Sequence, residues 1–289
     1  MVHAGLRFGA FIGPYHQLGE NPTLSLHRDL ELLEWLDDLG YDEAWIGEHH
    51  SAGWETVASP ELMIAAAAER TKRIMLGSGV TSLPYHHPLM VANRFCQLDH
   101  MTRGRVMLGC GPGALASDAV MLGVPVPNMR KMMSESLDVL MPLLRGEVVS
   151  KKTDWFEMNN ARVHLLPYSD PCFQVAVATT ATPAGITEAG KHGLGVLSLG
   201  AALPGGMARL PEHWKIGEEA AARHGKTIER RNWRVVLFMH CAETDELALQ
   251  QVRRREAIED TYWTDILGRP GSDSPDRLGD AVKAGVHLI

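Results

Sequence analysis

The sequence predicts an α/β fold built from repeated β-α units, and three observations carry this prediction. Short runs rich in Val, Ile, Leu and Phe alternate with longer stretches of helical periodicity from one end of the chain to the other. The short runs are almost continuously apolar, as in a parallel sheet that is covered on both faces. No linker rich in Gly and Pro divides the 289 residues. The pattern favours one closed (β/α)8 barrel, a TIM barrel, over residues 1–289, although a doubly wound open sheet fits the same alternation.

Seven apolar runs are predicted strands. They cover residues 6–12, 43–47, 74–80, 106–110, 173–178, 195–199 and 234–240. A closed barrel of this kind needs an eighth strand, and the chain ends at 286–289 without a closing amphipathic helix. We therefore expect the sequence to stop short of its last β-α unit.

Helical stretches separate these runs. The first, 24–39, places four leucines at helical spacing before Gly40, and the second opens at Ser59-Pro60-Glu61, with a Ser able to cap the helix and a Pro in its first turn. The other helices are predicted at 88–101, 128–144, 182–192, 207–224 and 245–258. Alternating residues between about 146 and 170 indicate an inserted hairpin or loop.

Composition excludes several classes of protein. With 45% hydrophobic and 22% charged residues the chain is globular, and its formal charge of -7 gives no cationic field for nucleic acid. The spacing of Cys96, Cys110, Cys172 and Cys241 matches neither a zinc knuckle nor a dense disulfide framework, which predicts reduced thiols. The chain shows neither a signal peptide nor an apolar run of about 20 residues. We expect a cytoplasmic protein that does not interact with membranes.

The loops that follow the strands of such a barrel carry its chemistry. Five of the fourteen histidines fall after the first three predicted strands, and imidazole readily exchanges a proton near neutral pH. These five are His16, His49, His50, His86 and His87. The concentration predicts a proton-handling or metal site, while His16, His86 or His87 taken singly is more typical of a capping or packing group. His49 is the strongest candidate, because it lies at a strand end beside Glu48.

Two further turns could hold a ligand. The turn Gly109-Cys110-Gly111-Pro112-Gly113 has a bare backbone that a planar ring or a phosphate can approach closely. It is not a dinucleotide fingerprint, because no G-x-G-x-x-G stands at the first β-α turn. Thr179, Thr180 and Thr182 lie at a predicted helix start, where free N–H groups suit an anion, although Thr182 could equally be an ordinary N-cap.

Several segments resemble the bacterial luciferase-like flavin monooxygenases in order and spacing. They are Arg7-Phe8-Gly9-Ala10-Phe11, 40–45 with Glu48-His49-His50, 83–88, and 98–105 with the glycine turn. The resemblance covers roughly residues 6 to 255, and the stretch 47–53 is most similar to the limonene monooxygenase branch.

The resemblance implies a luciferase-like barrel that binds reduced flavin, FMN or FAD. A separate flavin reductase would supply the flavin at the expense of NAD(P)H. The enzyme would use O2, through a C4a-(hydro)peroxyflavin, to oxygenate a small apolar substrate such as the monoterpene limonene. Members of the family commonly pair, so a homodimer is expected.

The resemblance also implies roles for individual residues. It makes His49 catalytic and places the flavin ring at Gly79 and Val80, which would be joined by a non-proline cis peptide. Cys110 would lie near the flavin. The phosphate would be bound at Gly111, Thr179, Thr180 and Thr182. Beyond the resemblance, we predict substrate contacts at Tyr15, Trp54 and Asp118, with Tyr15 and Trp54 in an apolar wall.

Three alternatives compete with this interpretation. The first is hydride transfer from the deazaflavin F420 on the same fold, which consumes no oxygen. The second is a metal-dependent hydrolase that uses His49, His50, His86 or His87 with Glu48 and Asp118, and it is disfavoured because these histidines lack the i, i+4 spacing of a zinc motif. The third is a non-catalytic flavin-binding subunit.

Overall fold

A computed structural model describes residues 5–13, 16, 18–51, 53–203 and 205–261. Within these residues, seven parallel strands form one sheet in chain order. They are β1 (Gly9–Ile12), β2 (Glu43–Ile46), β3 (Met75–Ser82), β4 (Val106–Gly111), β7 (Gln174–Thr179), β8 (Gly195–Ser198) and β9 (Trp233–Val235). The remaining two strands, β5 (Val149–Lys152) and β6 (Glu157–Ala161), pair antiparallel in a separate hairpin. The expectation about the last β-α unit falls on 262–289, outside the described residues.

Helices follow the strands of the sheet. They are α1 (Pro22–Asp38), α2 (Pro60–Arg70), α3 (Pro88–Thr102), α4 (Ala116–Met121), α5 (Met129–Leu144), α6 (Ala184–His192), α7 (Gly206–Arg223) and α8 (Asp245–Thr261). A 3-10 turn, Leu83–Tyr85, links β3 to α3. None of the helices in the described ranges is long and apolar enough to cross a membrane. The alternation of parallel strands and helices is the one that the sequence predicts.

Some element boundaries differ from the prediction. The last strand was expected to run over 234–240 but ends at Val235, because the chain leaves the sheet after the Val236 amide bonds to the Ser198 carbonyl. Helix α6 begins at Ala184 instead of Thr182, with Pro183 at its N-cap. Ser59 stands at the N-cap of α2, but its hydroxyl donates to Glu61 and not to the backbone.

The two faces of the sheet pack differently. On the inner face the Trp45 indole lies against Gly77 and Gly109, where a Cβ would come within 2.6 Å and 3.2 Å of the ring. Met107, Ala176 and Leu197 complete this inner cluster. The outer face packs on the helices through the larger core. Examples of its residues are Leu76, Leu108, Cys110, Val175, Val177 and Val196. Glycines in β3 and β4 therefore make room for one large aromatic side chain inside the barrel.

Candidate functional site

The carboxyl ends of β2 and β3 carry a cluster of three carboxylates and three histidines. Its members are Glu48, Glu55, Asp118, His49, His50 and His86. Parallel strands bring their carboxyl ends to one edge of the sheet, which explains why the segments after β2 and β3 meet here. Asp118 joins them from the short helix α4.

His49 lies between two carboxylates. Its Nδ1 donates to Oδ2 of Asp118 at 3.0 Å, and its Nε2 lies 3.0 Å from Oε2 of Glu55. The ring is largely buried, with 13% of the side chain exposed. Burial by itself lowers the pKa of His49, but the hydrogen bond to Asp118 and the nearby negative charges outweigh it, so the pKa is raised above its usual value.

Asp118 fixes the loop that carries His49. One oxygen accepts the hydrogen bond from His49, and the other accepts from the His50 amide at 3.0 Å and the Ser51 hydroxyl at 2.5 Å. Burial opposes its ionisation, yet these donors hold the pKa of Asp118 below its usual range. Only 1% of the side chain is exposed. Asp118 therefore lies behind His49, where its contacts would position the imidazole, and the expected substrate contact stays a prediction.

Glu48 joins the end of β2 to the end of β3. Its Oε2 accepts from the Ser82 amide at 2.7 Å, and its Oε1 accepts from Nε2 of His50 at 2.9 Å and of His86 at 2.7 Å. The side chain is fully buried. Burial raises its pKa, but the donors prevail and the pKa of Glu48 is lowered. The bond to Glu48 also raises the pKa of His50.

The other two histidines of the predicted set have packing roles. His16 is buried, and its ring nitrogens lie 2.9 Å from Thr56 Oγ1 and from Asp29 Oδ2, which ties the segment after β1 to α1. His87 packs edge-on against Phe156 with ring centroids 6.0 Å apart.

Two hydroxyl groups near the end of β3 are buried without a hydrogen-bond partner among the described residues. They belong to Thr81 and Tyr85. The Tyr85 ring stands edge-on to His50, and a Cβ on Gly113 would lie 2.4 Å from its hydroxyl. Burial strongly raises the pKa of Tyr85, so this hydroxyl stays protonated. Sequence reasoning missed both residues, although they lie in the loop after the third predicted strand.

The peptide between Gly79 and Val80 is cis, as the resemblance implied. A Cβ on Gly79 would lie 2.8 Å from the Phe11 ring, and a Cβ on Gly111 would lie 2.5 Å from a methyl group of Val80. Gly79, Val80 and Gly111 are therefore brought together on the inner side of β3 and β4.

Two expected flavin contacts lie on the other side of the sheet. Cys110 is fully buried in the core between sheet and helices, because it alternates with the inward-facing glycines of β4. The Thr179 hydroxyl is likewise buried and donates to Ser198, which also accepts from Trp233 of the helix-facing core. Neither side chain is brought to the mouth of the barrel.

The remaining expected contacts are distributed as follows. Thr180 is exposed and Thr182 half-buried, both just before α6. Trp54 is buried, with 4% exposed, and its carbonyl accepts from the His16 amide at 2.8 Å. Tyr15 lies outside the described residues. Within the described ranges, no group of three or more His, Cys, Asp or Glu side chains is arranged to hold a metal ion.

Comparison with known proteins assigns the sequence of this chain to a family. The sequence profile described as "Luciferase-like monooxygenase" matches residues 6–278. The chain belongs to the luciferase-like monooxygenase family. The expected family and class of enzyme are confirmed.

Two relatives are identical to this chain at about half of the aligned positions. Limonene 1,2-monooxygenase of Rhodococcus erythropolis is 49% identical over 284 residues, which cover 98% of this chain and 73% of the relative. The 4-hydroxyprotoasukamycin monooxygenase of Streptomyces nodosus subsp. asukaensis is 50% identical over 269 residues, covering 92% and 72%.

A solved structure supports the fold. The oxygenating constituent of 3,6-diketocamphane monooxygenase from Pseudomonas putida, a type II Baeyer-Villiger monooxygenase in complex with FMN, superposes with a TM-score of 0.78. The match covers 98% of this chain and 84% of that one at 24% identity. The described seven-stranded parallel sheet is that of an incomplete TIM barrel of the luciferase-like type, which confirms the predicted fold class.

Proposed function

We propose that this enzyme uses reduced flavin and O2 to oxygenate a small apolar organic substrate, with a monoterpene such as limonene as the leading candidate. The observation that carries the proposal is the 49% identity to limonene 1,2-monooxygenase over 98% of the chain. A relative at 50% identity is named for a different substrate, 4-hydroxyprotoasukamycin. The substrate therefore has to be found by experiment.

The residues at the mouth fit a flavin. The Tyr85 hydroxyl, which has no hydrogen-bond partner among the described residues, supplies a buried polar atom near the end of β3, and Gly111 leaves the backbone of β4 bare. Thr81 is paired with Cys110 and shares its helix-facing side, so it is not included. Gly79 and Val80 would contact the ring. Thr180 and Thr182 would meet the phosphate, together with the backbone N–H groups at the start of α6. Cys110 and Thr179 are left out of this set, because both face the helices.

Bound reduced flavin would supply the oxygen-activating chemistry. The chain's own residues would orient the ring, exclude water and handle a proton. His49 is the group that holds a proton at the mouth, at Nδ1 towards Asp118 and at Nε2 towards Glu55. Trp54 and Tyr15 are proposed to provide part of an apolar wall for the substrate.

The partners of the reaction are proposed as well. The flavin is FMN or FAD, and a separate reductase would reduce it with NAD(P)H. We further propose that the enzyme works in the cytoplasm as a homodimer. FMN is the flavin bound in the diketocamphane monooxygenase structure, which supports FMN as the first choice for experiments.

A product screen tests the proposed function. Purified chain, FMN or FAD, a flavin reductase and NADH are mixed with individual monoterpenes, and products are analysed by mass spectrometry. Oxygenated product that requires chain, reductase and O2 supports the proposal. Substrate oxidation with reduced F420 and no oxygen uptake would instead indicate hydride transfer, and flavin binding without any product would indicate a non-catalytic subunit.

A further inference from the structure

We propose that Glu55 is a positioning residue which, together with Asp118, holds His49 as a doubly protonated cation, so that His49 delivers a proton at the mouth instead of removing one. The proton's use in catalysis rests on the proposed oxygenation. The protonation state of His49 does not, because it follows from contacts within the chain.

The contacts of the ring favour protons on both nitrogens. A neutral imidazole carries one N–H donor and one lone pair. In His49 each nitrogen lies 3.0 Å from a carboxylate oxygen, Nδ1 from Asp118 and Nε2 from Glu55. A lone pair on Nδ1 would face the Asp118 carboxylate, and a lone pair on Nε2 would leave that nitrogen 3.0 Å from a carboxylate oxygen of Glu55 without a proton between them. Only the imidazolium is attracted to both carboxylates.

The surrounding charges favour the same state. Glu48 is already hydrogen-bonded to His50 and His86, so these two rings are engaged away from the partners of His49. One imidazole therefore lies between two carboxylates that are 10% and 1% exposed. Little water is available to screen the attraction. The titratable groups around His49 and its two partners are Glu48, His50, Tyr85 and His86, whereas Glu61 acts on His50 and not on His49.

The geometry also indicates which nitrogen gives up its proton. Asp118 is held by the His50 amide and the Ser51 hydroxyl in addition to His49, whereas Glu55 is the more exposed partner. The N–H bond at Nε2 would break, an O–H bond would form on an oxygen atom of the bound ligand, and the electron pair would remain on nitrogen. Nδ1 keeps its proton on Asp118, and Nε2 is later reprotonated from solvent. No oxidant or reductant is consumed in this step.

An NMR titration of the full chain without flavin tests the protonation state. With isotope-labelled histidine, His49 should remain protonated well above the ordinary histidine pKa of about 6.5. Glu55→Gln should lower the titration midpoint of His49 by about one pH unit or more, because an opposite charge in contact is removed. Glu55→Asp, which keeps the charge, should restore much of the shift. Glu61→Gln is the matched control, since Glu61 contacts Ser59 and Arg94 but not His49.

A second measurement connects this state to turnover. The oxygenation rate should fall at high pH, where His49 loses its proton. In Glu55→Gln the pH of this fall should be lower than in the wild type, by the same number of pH units as the NMR midpoint. A His49 midpoint at or below about 6.5 in the wild type, or an unchanged midpoint in Glu55→Gln, overturns the inference. A shifted midpoint in a chain that oxygenates nothing supports the role of Glu55 in protonation and rejects the proposed function alone.

Discussion

Arg234, on the last strand of the described sheet, donates two hydrogen bonds to Glu43 on the second strand. Its Nε lies 2.9 Å from Oε2 and its Nη2 lies 2.7 Å from Oε1. The guanidinium also lies over the Trp45 ring, 5.3 Å from its centroid, and the indole N–H donates to Glu43. The pair is nearly buried, with 12% and 5% of the side chains exposed. It links β9 to β2 across the interior of the barrel.

Removing one partner of this pair should be costly. We expect Arg234→Met to lower the free energy of unfolding by about 3 to 5 kcal/mol, because Glu43 would keep a buried charge without its main partner. Urea denaturation measures the change. Arg70→Met is the control, since its pair with Glu34 is solvent-exposed and should contribute at most about 1 kcal/mol. Equal effects of the two substitutions would contradict the structural role of the buried pair.

The same pair predicts a pH dependence of stability. Burial opposes ionisation of Glu43, but Arg234 holds its pKa below the usual value. A lowered folded pKa stabilises the protein fully above the unfolded value of about 4.3, and the contribution is lost as pH falls through the folded pKa. Unfolding free energies compared at pH 7 and below pH 4 should therefore differ more in the wild type than in Arg234→Met. Parallel pH profiles of the two proteins would contradict this.

The Tyr85 hydroxyl, for which the described residues offer no hydrogen-bond partner, should reduce stability. Tyr85→Phe removes a buried polar group whose desolvation costs about 1 to 3 kcal/mol, so the melting temperature should rise by about 2 °C or more. Tyr168→Phe, at an exposed ring, is the control and should leave it unchanged. If Tyr85→Phe also weakens flavin binding, the Tyr85 hydroxyl forms a hydrogen bond to the flavin. A lower melting temperature would show that the hydroxyl has a partner in the folded chain.

His49 should matter far more for turnover than for folding. We expect His49→Ala to lower the oxygenation rate by about 10²- to 10⁴-fold, the usual contribution of a general acid or base. Rates are measured with saturating reduced flavin, and circular dichroism checks the fold. His164→Ala, at an exposed position, is the control. Unchanged turnover in His49→Ala would remove this residue from the mechanism.

The sequence predicted the order and type of the main elements because buried strands are apolar runs that local composition reveals. It overextended the last strand because Leu237, Phe238 and Met239 are apolar, yet the structure leaves them exposed beyond Val235. Local composition cannot tell whether an apolar run has a neighbouring strand to pair with.

The site was predicted less completely, for three physical reasons. The partner of His49 on α4 is 69 residues away along the chain, and only the folded barrel brings Asp118 to it. Cys110 was predicted to lie near the flavin, but successive side chains of a strand point to opposite faces of the sheet. Because Gly109 and Gly111 face inwards, Cys110 faces the helices. Glu55 carried no signal of its own, since a loop has no periodicity from which its side-chain direction could be read.

We expect this chain to transfer an oxygen atom from O2 to an apolar substrate, and isotope labelling follows that atom. Limonene is incubated under ¹⁸O2 with the chain, FMN, a flavin reductase and NADH, and the product is analysed by mass spectrometry. We expect a product that carries one ¹⁸O atom and does not form without the chain. Under conditions where the chain binds FMN, a product whose added oxygen comes from water, or a substrate oxidised without gaining oxygen, would contradict it.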